Sequence, residues 1–163
     1  MSKKMGFQFL VEVVDELTGE VISSEIADNI TPTEGENHIL NVIFKAATQI
    51  TSWFVGIYEG NYTPLATDTA AVFPANATET TTYAEATRQA FTPGAVAAGA
   101  VDNTAALATF TSNSAKTIYG MFISSASAKG ATTGVLISAV KFGSAQTFGS
   151  GTLLRVTASV TLS

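Results

Sequence analysis

Four carboxylates, Asp68, Glu79, Glu85 and Asp102, fall at loops or strand ends where a reaction could use them. Two acids about 5–10 Å apart across a cleft would serve glycoside hydrolysis, one protonating the leaving group and the other activating water or attacking directly. These four share no motif spacing, and each fits an ordinary turn or surface role equally well. His38 is the only histidine. A nucleophilic triad holds an imidazole between a nucleophile and an orienting acid. His38 instead sits one turn into an expected helix, beside Glu36 and Asn37, where a partly exposed histidine is commonplace. One histidine and no cysteine cannot assemble a zinc site. No Asp-x-Asp-x-Asp-Gly run offers clustered oxygens to calcium.

Lys129-Gly130-Ala131-Thr132-Thr133-Gly134 superficially resembles a phosphate loop. A phosphate loop places its lysine after the glycines and a helix behind it, whereas here the lysine leads and a strand is expected next. Asn29-Ile30-Thr31, Asn61-Tyr62-Thr63 and Asn76-Ala77-Thr78 match the glycosylation sequon, as chance matches do in a Thr-rich chain. Trp53, Phe54, Tyr58 and Tyr62 are close enough in sequence to suggest a sugar platform. Strand alternation sends Trp53 and Phe54 to opposite faces, so they cannot form one stacking surface. Tyr58 and Tyr62 remain as candidate partner contacts. The residues read as non-enzymatic, with no cofactor and no metal.

Composition agrees with a contact role. The 163-residue chain carries 13 % charged residues, while Ala, Thr and Ser supply 25, 24 and 14 positions. Average domains are about 25 % charged. A surface poor in charge has little to desolvate when it meets other protein; a β domain with a merely neutral surface would look the same. A net charge of −5 opposes nucleic-acid binding, which needs basic surface to replace counterions. Residues 1–102 hold all thirteen acids and four bases, −9 in sum, and residues 103–163 hold only four bases, +4. That asymmetry can steer a partner or cancel within one fold. Met1-Ser2-Lys3-Lys4 opens like a signal peptide, but Gln8, Glu12 and Asp15 break the apolar run that should follow. No stretch is long and apolar enough to cross a membrane. The expectation is a soluble protein made in a cytoplasm.

The elements that must position these residues are mostly strands. Phe7, Phe9, Val11 and Val13 alternate on one face, Glu16-Leu17-Thr18-Gly19 turns, and Glu20–Ala27 returns, giving an N-terminal hairpin over about 7–27. Thr33-Glu34-Gly35-Glu36 has capping-box spacing. Ile39, Val42, Ile43, Ala46 and Ile50 follow at helical spacing, so one amphipathic helix near 34–48 should lay its apolar stripe on a sheet. Ser52–Tyr58 is apolar on both faces and reads as a central strand. Residues 61–77 read as loop, with one short helical turn after Thr67. Thr80–Ala86 alternates weakly, and Arg88–Thr92 is a short strand. Ala95–Val101 and Ala106–Thr111 suggest a second hairpin turning at Asp102-Asn103-Thr104. Thr117–Ser124 contains Gly120, which marks a bulge or a close backbone approach. Ser125–Gly134 reads as a mobile loop, Val135–Phe142 as a strand and Gly143 as loop. Leu154, Val156, Ala158, Val160 and Leu162 alternate with polar residues in the last strand. The expected fold is one all-β, mainly antiparallel domain spanning 1–163, a jelly-roll-like sandwich of about 8–10 strands.

Seven segments carry a family likeness: NITPTEGENHILN (29–41), WFVGIYEGNYTPLATDTAA (53–71), YAEATRQAF (83–91), ATFT (108–111), YGMFISS (119–125), KGATTGVL (129–136) and GTLLRVTASVTL (151–162). Together they resemble a family of small structural proteins of tailed bacteriophages, described as head decoration, cement or tail-fibre-like proteins. The likeness spans nearly the whole chain. Two places depart from it. Gly151-Thr152-Leu153 lacks the acid of the family's Gly-Asp-Thr-Leu, and Lys129-Gly130-Ala131 lacks a double glycine.

The resemblance implies a virion component without enzymatic activity. It would sit on the outer head surface as a dimer or trimer, bridging major capsid subunits by many modest contacts repeated by symmetry. Ser2, Lys3 and Lys4, with the first hairpin, are the expected docking arm. The alternative is a tail or fibre module that binds host surface glycans through the loop bearing Tyr58 and Tyr62. No nucleic acid and no membrane enter either reading.

Overall fold

The computed structural model describes residues 5–112 and 114–162. Within them the chain forms two antiparallel sheets packed face to face. The elements are β1 (Met5–Asp15), β2 (Val21–Asp28), α1 (Thr33–Phe44), β3 (Trp53–Tyr58), α2 (Phe73–Asn76), β4 (Gln89–Phe91), β5 (Ala100–Asp102), β6 (Ala108–Thr111), β7 (Lys116–Ser124), β8 (Leu136–Phe148) and β9 (Thr152–Leu162). The first sheet runs β2-β1-β9, with β5 and β6 both paired to the far side of β9; the second runs β4-β3-β7-β8. The expected all-β antiparallel sandwich is the observed architecture. The ladder order does not by itself establish a jelly roll.

Alternation builds the core. Phe9, Val11 and Val13 of β1 and Leu154, Val156 and Ala158 of β9 face Val55, Ile57, Ile118 and Val140 of the other sheet. Their burial from water is the main force holding the sheets together. β3 is buried on both faces, because a second, smaller cluster covers the outside of its sheet. There Phe73 of α2 meets the edges of Tyr58, Tyr62 and Phe122 at centroid distances of 5.6, 6.0 and 5.2 Å. The short helical turn expected after Thr67 is α2, and it delivers Phe73 to this cluster.

One side of the sandwich is sewn shut between β2 and β8. Glu25 accepts the Gly143 amide at 3.0 Å, Ser23 donates to Gln146 at 2.8 Å, and Ile30 exchanges both backbone bonds with Ala139. Gly143 therefore lies inside a thirteen-residue strand and not in the expected loop. The N-terminal hairpin is equally built in, since β1 pairs with β9 over all eleven of its residues.

Four further expectations are corrected. Ala95–Val101 and Ala106–Thr111 do not form a hairpin; β5 and β6 lie end to end along β9, as one interrupted strand. Thr80–Ala86 makes no strand. The capping box does not form: Pro32 occupies the cap, and no side chain bonds there. Glu34 instead accepts the amides of Ala70 at 2.8 Å and Leu136 at 2.6 Å, tying α1 to a loop and a strand. The helix also stops at Phe44, and only part of its apolar stripe touches a sheet. Gly35 packs directly over Ile137, while Leu40, Ile43 and Phe44 stand exposed.

Candidate functional site

The loop chemistry singled out in the sequence is consumed by the fold. Asp68 is buried, accepts the Tyr62 hydroxyl at 2.9 and 3.1 Å, and accepts the Leu65 amide at 2.8 Å. Partial burial and this bond to a carboxylate raise the Tyr62 pKa. Tyr58 is fully buried and donates to the Val140 carbonyl at 2.7 Å. Burial pushes its ionisation far up, aided by the Asp68 charge. Tyr58 thus offers no surface to a partner, and Tyr62 offers only its half-exposed ring. Glu85 accepts the Thr111 amide, and Asp102 accepts the amide and hydroxyl of Thr104, bonds that hold its pKa below the ordinary value. Ser2, Lys3 and Lys4 lie outside the described residues.

Glu79 forms a buried ion pair that sequence reasoning missed. Arg88 grips it with two parallel bonds, Nε to Oε1 at 2.8 Å and Nη2 to Oε2 at 2.7 Å. Both side chains are almost completely shielded. Arg88 also donates to the carbonyls of Ala126 and Ala131, and Glu79 accepts the Gly130 amide. Lys129 bonds the carbonyls of Thr81 and Tyr83 and covers the Tyr83 ring. The loop 125–134, expected to be mobile, is pinned through this network. A charge-assisted fork of this kind is geometrically specific.

Two bases of the C-terminal part meet acids of the N-terminal part, which offsets a portion of the charge asymmetry of the sequence. Arg88 is paired with Glu79, Lys116 lies 3.4 Å from Glu59, and Arg155 stands opposite Glu12 in the β1–β9 register.

Polar hollows lie beside Asp28 and between Glu34 and Asp68, and one end of the sandwich opens as an apolar groove. At the end of the sandwich where β1 and β3 begin and β9 ends, the sheets part around a groove of about 420 Å³. Phe7, Trp53, Phe91, Val101, Ile123 and Val160 are among the residues that wall it. A second hollow adjoins it beneath α1, sharing Ile39, Ile50, Trp53 and Ile137 and reaching His38 and Ile43. His38 meets the Trp53 ring edge-on at 5.8 Å. No Asp, Glu, Lys or Arg lines either hollow. The surface can exclude water around an apolar partner, and among the residues lining the two hollows only His38 carries a group that could transfer a proton. The sequence signal for it was the Ile39–Ile50 stripe, read as core.

No protein-family model, curated protein or solved structure matches this chain.

Proposed function

We propose that this protein is a non-enzymatic structural component of a tailed-bacteriophage virion, a decoration (cement) protein on the outer head surface. The observation that carries the reading is how the polar groups are spent. Asp68, Glu79, Glu85 and Asp102 are each committed to hydrogen bonds that fix loops, while the groove at the end of the sandwich is apolar and free of Asp, Glu, Lys and Arg. Such a molecule is equipped to contact protein and not to turn over a substrate. The likeness of its segments to phage head proteins supplies the setting, and the major capsid protein is the partner. No cofactor enters.

The docking face in this reading is the N-terminal hairpin. Its turn presents Leu17, 94 % exposed, and its outer face presents Ile22 and Ile26. Asp15 braces that turn by accepting the amides of Leu17 and Thr18 and the Thr18 hydroxyl. A rigid, repeated apolar contact suits a protein that binds many symmetry-related sites at once. The glycan alternative loses its main support, since Tyr58 is buried and the Tyr62 hydroxyl is spent on Asp68.

The test is co-sedimentation of purified protein with heads that lack it. Saturable binding is expected, with heads made more resistant to heat, and Ile22→Glu with Ile26→Glu should abolish both. Absence of binding by the intact protein overturns the reading.

A further inference from the structure

We propose that the free edge of β4 is a strand-addition site, where an extended, uncharged segment of another protein pairs with β4 and lays alternate side chains in the apolar groove. The site does not depend on the virion reading.

Two cross-strand rows wall the groove. In the first sheet Phe7, Val160 and Val101 stand opposite one another in register. In the second sheet Trp53 stands opposite Phe91. All five line the groove. Residues directly opposite on neighbouring strands share a face of the sheet. A row of three therefore meets a row of two, and the shorter row ends at β4. A strand added beside β4 would extend that row by one inward side chain, next to Phe91.

The backbone is open at the same place. β4 is the last strand of its sheet. Alternate residues of an edge strand aim N–H and C=O away from the ladder. Among the described residues, Gln89, Ala90 and Phe91 make no backbone bond beyond those to β3. The other edges carry cover. β2 is bonded to β8, Gly94 and Ala97 fold back on β5, and Ala84 and Glu85 close on the end of β6 at Thr111.

These two features fix the chemistry of the occupant. An acyl chain or an aromatic molecule fills a groove but leaves the edge to water. A helix spends its backbone bonds on itself. An extended chain supplies backbone partners along the edge and turns every second side chain into the groove. No Asp, Glu, Lys or Arg lines the groove, so a charge on an inward side chain would lose its water and find no partner. The inward positions are therefore apolar, and β-branched or aromatic residues suit them. Pro93, just beyond β4, keeps the edge too short for open-ended sheet stacking, and the groove supplies the remaining affinity.

The probe is a capped seven-residue peptide of alternating threonine and valine, added to the intact chain. Trp53, the only tryptophan, walls the groove and reports on entry. Saturable binding is expected, with Trp53 emission moving to the blue and amide exchange slowing within 89–91. Two further peptides carry methyl groups on the backbone nitrogens of either the threonines or the valines. One should bind at least ~10-fold more weakly and the other like the parent, because one edge of the added strand meets β4 and the other meets water. Val96→Glu, at a groove position 76 % exposed, should weaken binding at least ~10-fold with an unchanged circular dichroism spectrum. Ile22→Glu should bind like wild type. No binding at millimolar peptide overturns the proposal. So does equal binding of the two methylated peptides, the sign of an apolar groove that takes no strand, or binding that survives Val96→Glu. If the peptide fails and Val96→Glu instead lowers the sedimentation mass of the chain, a second copy occupies the groove and the proposal falls.

Discussion

Tyr58 and Gly120 face each other across the β3–β7 ladder, and the phenol fills the space a side chain at position 120 would need. A Cβ there would collide with the Tyr58 ring and with the Val140 carbonyl that accepts the Tyr58 hydroxyl. The β7–β8 register also shifts between Ile118 and Gly120. Gly120→Ala should therefore cost at least ~2 kcal/mol, because backbone or a buried ring must move. Urea unfolding measures it; a loss under half of that would mean the cluster relaxes freely.

Arg88 and Glu79 should be far more costly to separate than to replace together. Arg88→Met leaves a carboxylate buried without its partner, at roughly 3–5 kcal/mol. Adding Glu79→Leu should recover part of that loss, because the stranded charge goes too. Amide exchange at Gly130 should accelerate in both variants, since its amide loses Glu79 or the geometry that holds it. Equal stability of single variant and wild type would remove the ion pair from the account of loop 125–134.

Asn103 stands in for a missing peptide unit. Between β5 and β6 the strand leaves β9, and the buried Asn103 side chain donates to the Val156 carbonyl at 3.2 Å and accepts the Ala158 amide at 2.7 Å. Asn103→Ala strands two buried backbone groups and should cost ~2–4 kcal/mol. Loss of exchange protection at Ala158 is the specific sign. Unchanged protection there would contradict the role.

Alkali should unfold the protein through its tyrosines. Burial is the first cause that raises the Tyr58 and Tyr83 ionisations well above 10.0. The folded state favours the neutral phenols, so their contribution is complete below pH 10 and is lost as pH rises beyond it. Near-ultraviolet absorbance should show a steep phenolate step coinciding with loss of circular dichroism. Smooth titration of all tyrosines in a folded protein would contradict their burial.

Local pattern made much of this fold readable. The alternation of Leu154, Val156 and Ala158 carried the last strand, the run from Trp53 to Tyr58 marked a strand buried on both faces, and Gly120 signalled a close approach. What failed depended on distant chain. β5 and β6 could not be told from a hairpin because their partner, β9, lies some fifty residues on. Glu34 looked like a cap because the amides of Ala70 and Leu136 that claim it come from elsewhere. The apolar groove was hidden for the same reason: a helical stripe of Ile and Val looks alike whether it covers a sheet or overhangs an opening. The candidate tyrosines were placed on the right segment, yet the cluster around Phe73, contributed by the short helix α2, buried one and restrained the other.

The most direct measurement is a cryo-electron reconstruction of heads lacking this protein after incubation with the purified chain. Ordered density is expected at symmetry-related positions on the outer shell, fitted by this sandwich with the β1–β2 hairpin against the capsid. Bare heads at saturating protein would contradict it.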